Sequence, residues 1–278
     1  MLALGRIAML FAIAAAGTAG CDAGKTKLIG SDSPAASCDE APAAPPAGVD
    51  PFYDKYLDAR GLPVLSTADV SDTALRTACV IVANMLSLRQ DLRDAMVRLD
   101  MRVVVMGRNQ VTTDIPEYAN LYKTNPGPDW DTFRGIGATL GTPVTSAGEE
   151  TVMCDQGGPY GGVNVLVHML GTSVYLGVAD VDPTFEDRLQ GADTAARAAG
   201  LWENTYVRGS DPRQNLIEYY AEGVEDWFET GPESSPPDGT FNEINTRAEL
   251  MAYDPMLYAI VAGTMRNDAW RPTCPATP

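Results

Sequence analysis

Apolar residues recur every three or four positions through Leu75, Cys79, Val82, Met85 and Leu86, behind Ser71, a residue type that caps helix N-termini. This spacing predicts an amphipathic helix, and a second one over 91–99 leads into Arg102-Val103-Val104-Val105-Met106. That β-branched run, stopped by Gly107, reads as a strand. The stretch 112–150 is rich in Gly, Pro, Thr and Asn and reads as long loops with one edge strand. Helical spacing then dominates over 163–176, 184–199, 213–229, 246–252 and 255–267, with Thr184 and Asp187 placed as a capping box. The expectation is an α+β domain with a mixed N-terminal half and a helical C-terminal half.

The N-terminus follows a different pattern. Arg6 precedes an apolar run from Ile7 to Ala16, too short to span a bilayer, and Thr18-Ala19-Gly20 lead into Cys21. Small residues before a cysteine at that place resemble the lipobox of bacterial lipoproteins, with Thr18 standing where leucine is usual. Residues 1–20 are therefore expected to be a signal peptide, with lipid on Cys21 holding the protein to the bacterial cell envelope. Ordinary secretion is the alternative. From Asp22 to Val49 there is no aromatic residue and Ala, Pro, Ser and Gly prevail, so 21–49 reads as a tether to a domain over 50–272, with a tail at 273–278.

Composition narrows the chemistry. Asp and Glu total 37 against 20 Lys and Arg, for a formal charge of −17, which disfavours nucleic acid as a partner. With Cys21 lipidated, Cys38, Cys79, Cys154 and Cys274 remain, an even number suited to two disulfides in an oxidising compartment. Three pairings are open, with Cys38 in the tether the first candidate to stay free. No CxxC pair points to a metal. There is one histidine, His168, so one histidine-dependent role at most is available.

Asn164-Val165-Leu166-Val167-His168-Met169-Leu170-Gly171-Thr172, followed by Glu218-Tyr219-Tyr220-Ala221-Glu222-Gly223-Val224-Glu225-Asp226-Trp227-Phe228, resembles the HExxH helix and downstream glutamate helix of the zincin metallopeptidases. Phe52-Tyr53 to Val70, Val103 to Pro116 and Gly148 to Tyr160 extend the likeness toward an exported zincin-like family whose members read VHEFAHT and then YWAEGVQSWF. The resemblance implies a zincin-like fold over most of the domain. It further implies His168 as first zinc imidazole and Glu222 as the third ligand.

HExxH works because residues four apart share a helical face, so two imidazoles reach one zinc while the intervening glutamate activates water. Here Met169 stands at the base position and Thr172 at the second imidazole. A thioether accepts no proton near neutral pH, and a threonine hydroxyl is a weak zinc ligand. The expected function is thus a membrane-tethered pseudo-peptidase that binds a peptide or envelope polymer without cutting it, with zinc or another divalent metal held weakly if at all. An active hydrolase with an atypical metal site is the alternative. The residues alone also admit His168 as a core histidine hydrogen-bonded to Glu222, and Glu222 as part of a solvated face.

Three weaker groups receive ordinary roles. The acidic cluster Asp180, Asp182, Glu186 and Asp187 lacks the EF-hand pattern and is assigned to helix capping. The adjacent pairs Glu149/Glu150 and Glu225/Asp226 are assigned to the surface, since neighbours on a helix do not face each other. Gly157-Gly158-Pro159-Tyr160-Gly161-Gly162, with no lysine after it, reads as a turn beside a cleft rather than a phosphate loop.

Overall fold

The computed structural model describes residues 37–158, 160–208 and 212–274. The expected signal peptide and Cys21 lie outside them. The first described strands, β1 (Lys55–Ala59) and β2 (Leu62–Ser66), pair antiparallel around Arg60 and Gly61, whose φ values of 61° and 98° are those of a tight hairpin turn. Asp58 accepts the Gly61 N–H and closes the turn. Ser71 caps α1 (Asp72–Met85) by accepting from the Ala74 N–H, as its position predicts, and α2 (Gln90–Arg98) feeds β3 (Arg102–Met106).

The long segment after β3 is more ordered than its composition suggests. It holds the short helix α3 (Leu121–Thr124), a two-residue strand β4 (Gly135–Ile136) and β5 (Val144–Gly148), which leads directly into α4 (Glu149–Val152). The sheet order is β1-β2-β3-β5-β4, with β2, β3 and β5 parallel and the outer pairs antiparallel. β5 is therefore interior, although Thr145 and Ser146 make it look polar. Both hydroxyls are used within the fold: Thr145 bonds Ser173 and Ser146 accepts the Ile136 N–H.

Side chains alternate across β3. Val103 and Val105 join the large helical core, while Val104 and Met106 face a second core with Leu65, Ile115, Tyr118, Trp130 and Val144. The helical side is built from α1, α2, α5 (Val165–Val181), α6 (Phe185–Ala198), α7 (Pro212–Phe228), α8 (Arg247–Tyr253) and α9 (Pro255–Ala262). The domain is thus α+β, with a mixed first half and a helical second half. At the start of α6 the expected Thr184 cap is replaced: Asp182 accepts from both the Thr184 N–H and its hydroxyl.

The tether expectation needs correction from residue 37 onward. Cys38 is disulfide-bonded to Cys79 on α1 and buried, Ser37 donates its N–H to the Asp58 carbonyl, and Ala43 bridges Tyr56 on β1. This segment is a strap on the domain, and Cys38 is not the free thiol. Cys154 pairs with Cys274, so the chain is also fastened within the segment expected to be a tail. No helix among the described residues is long and apolar enough to cross a membrane.

Candidate metal centre

The two helices that carry the resemblance lie side by side. A Cβ on Gly171 of α5 would come within 3.2 Å of Ala221 Cα on α7, so glycine sets the close approach of the two axes. One turn before Gly171, His168 points at α7. On α7, Glu218, Glu222 and Glu225 follow at i, i+4 and i+7, one helical face, and all three turn toward the imidazole. His168 Nε2 lies 3.1 Å from Glu218 Oε2 and Nδ1 lies 2.9 Å from Glu225 Oε2. Glu222 Oε2 is 4.0 Å from Nδ1, and the Tyr206 hydroxyl, 3.0 Å from that nitrogen, donates to Glu222.

The cluster is closed. His168 is 0% exposed, Glu218 2%, Glu222 4% and Glu225 1%. Burial alone would lower the imidazole pKa, but the hydrogen bonds and charges of Glu218 and Glu225 outweigh it and hold His168 at about 10. Burial, then the charge of Glu225, pushes Glu222 up to about 8. Burial and the charges of Glu222 and Glu225 likewise raise Asp226 well above the usual carboxylate range. Glu225 Oε1 and Asp226 Oδ2 are buried and have no hydrogen-bond partner.

His168 and Glu222 thus come together, though the core hydrogen bonds of His168 run to Glu218 and Glu225 rather than to Glu222. The surface assignment of Glu225 and Asp226 is overturned, because α7 is buried on nearly every side here. The pair Glu149/Glu150 is buried too: Glu150 pairs with Arg134, and Glu149 accepts the Ser71 N–H beside the α1 cap. Glu218 and Glu225 were missed as site residues, although their spacing with Glu222 at i, i+4 and i+7 was a signal that could have found them. Tyr206 was not legible, since it arrives from a short 3-10 turn, Tyr206–Arg208, with no local signal.

Met169 and Thr172 lie elsewhere. Met169 is buried with Val163 and Val165 against Tyr160. Thr172 donates its hydroxyl to the Met169 carbonyl, 2.8 Å away, and a Cβ on Gly137, just after β4, would collide with that hydroxyl. The two-imidazole zinc set is absent. The ligand atoms that do converge belong to His168, Glu222 and Glu225, all within 4.8 Å of one another, and such a group can hold a metal ion.

Three members of the other acidic cluster are committed to neighbours. Asp180 pairs with Arg98, Asp182 with Arg188, and Glu186 accepts from Tyr175. Gly157 and Gly158 border a cleft of about 400 Å³ with Arg108, Gln110, Arg134 and Glu150.

No family model matches the chain, and no curated protein matches it. Among solved structures it is similar to the Pro-Pro endopeptidase from Paenibacillus alvei, at 16% identity and a TM-score of 0.46, over 72% of this chain and 96% of that one. A likeness of that size assigns no residue a role.

Proposed function

We propose that this chain is a zincin-related pseudo-peptidase, exported and anchored through lipid on Cys21, that acts as a non-catalytic binding module of the bacterial cell envelope for a peptide or envelope polymer. One observation carries the non-catalytic reading. The positions where HExxH chemistry needs a base and a second imidazole are packing residues: Met169 sits in an apolar cluster and Thr172 is wedged under Gly137. The two disulfides support an oxidising compartment.

The convergence of His168, Glu222 and Glu225 favours a second reading, a hydrolase with an atypical metal. Against it stands the burial of the cluster, because a catalytic metal keeps one position open to water and substrate. Incubating the purified protein with protein and peptide substrates, with and without chelator, tests the choice. The expected result is no chelator-sensitive cleavage. Cleavage that chelator stops and His168→Ala abolishes would sink the pseudo-peptidase reading. Mass spectrometry of the native N-terminus tests the anchor separately: acylated Cys21 is expected, and cleavage at another bond would remove it.

A further inference from the structure

We propose that His168, Glu222 and Glu225 hold a divalent transition-metal ion in a closed, structural site, with Glu225 supplying from α7 the ligand that Thr172 cannot supply from α5. The three ligand atoms already lie within 4.8 Å of one another, on two helices held in close contact at Gly171 and Ala221. A site on packed helices is a fixed one.

The surroundings of the imidazole match those of a metal ligand. A ligating histidine generally donates its other ring N–H to a carboxylate, which fixes the tautomer and the ring orientation. Here Nδ1 faces Glu225 and Glu222, while Nε2 faces Glu218 at 3.1 Å. Glu218 is thereby the orienting partner and Nδ1 the donor. Tyr206 does the same for Glu222 by donating to its Oε2.

An independent sign is the orphaned oxygen of Glu225. Its Oε1 is buried without a hydrogen-bond partner on a residue 1% exposed, an arrangement that is costly unless a cation sits nearby. Three buried carboxylates, Glu218, Glu222 and Glu225, also surround a single imidazole. One imidazole nitrogen with carboxylate oxygens is a donor set for zinc, manganese or iron(II), and unlike the thiolate sets it does not select soft metals. The burial of every ligand makes the site structural, as closed sites are.

The proposal builds on the non-catalytic reading of the same cluster, and the two fail differently. The test uses the mature chain without a histidine tag. Its metal content is measured, chelator then strips it, and thermal unfolding is followed as zinc or manganese is added back. About one ion per chain is expected, with a higher melting temperature on re-addition. Glu225→Gln should weaken binding by roughly tenfold or more, whereas Glu243→Gln, on the surface, should leave it unchanged. Metal-free protein whose melting temperature responds to neither ion overturns the site. An ion bound equally well by Glu225→Gln overturns the ligand assignment. Should Glu225→Gln fail to fold, the wild-type content and titration still decide. Chelator-sensitive proteolysis would refute the pseudo-peptidase and the structural character of the site, while the metal content and the Glu225→Gln titration would still decide the ion and its ligands.

Discussion

The two sides of α5 differ in the kind of contact they make. Toward α7, His168 keeps a full shell of polar partners: three glutamates and a tyrosine. Toward the sheet, Val165, Met169 and Thr172 are packed so tightly that β4 and the residue after it carry glycine where they cross them. A Cβ on Gly135 would come within 2.6 Å of Val165 Cγ1 and 3.1 Å of Met169 Cγ. One side of a single helix thus carries buried ionisable groups, and the other offers steric fit without a reactive group. HExxH chemistry needs a base directly after the first imidazole, whereas the residue after His168 is Met169, packed on the apolar side.

The largest effect should come from removing the imidazole. His168→Ala leaves Glu218 and Glu225 buried without their partner, and breaking such a buried pair costs about 3–5 kcal/mol. Urea unfolding measures it. A loss under about 1 kcal/mol would mean that the carboxylates are relieved some other way, and the polar side of α5 would no longer be special. On the steric side, Gly137→Ala should cost about 1–3 kcal/mol by overpacking. Adding Thr172→Ala removes the hydroxyl in its way and should recover part of that loss. Independent effects of the two substitutions would show that β4 and α5 do not meet as described.

A smaller, graded effect concerns pH in chelator-treated protein. Glu222 rises from 4.5 to about 8 and His168 from 6.5 to about 10 on folding. A raised pKa lends stability that is fully present below the unfolded value and is lost as pH climbs through the folded one. Stability should therefore decline between about pH 5 and pH 10, by at most about 1.4 kcal/mol per pH unit for each proton involved. Denaturant midpoints across that range check the sign. A midpoint that rises with pH would mean that the cluster is ionised and otherwise compensated.

Much of the helical half was legible in the sequence because caps and apolar spacing are local signals. Ser71, for instance, both looked like a cap and is one. The side of α5 that each residue takes was less legible. From Val165 to Val174 every residue is buried, so periodicity cannot say which neighbour each one meets. Glu225 and Asp226 were misassigned for a related reason. Adjacency argued that they do not face each other, which holds, but it carries no information about whether another helix covers both. β5 was missed as an interior strand because Thr145 and Ser146 imitate a solvent side while bonding inside the fold.

The strap formed by residues 37–43 bears on how this sheet meets other chains. A five-stranded sheet has two open edges where a foreign strand could add and seed aggregation. At one, β4 offers only two residues as a template. At the other, Ala43 occupies hydrogen-bonding positions of β1 at Tyr56, and the Cys38–Cys79 bond holds that cover in place. The covalent part of that hold exists only where thiols oxidise. Chain produced in a reducing cytosol would expose the β1 margin, and intermolecular strand pairing should follow there before it does in the oxidised protein.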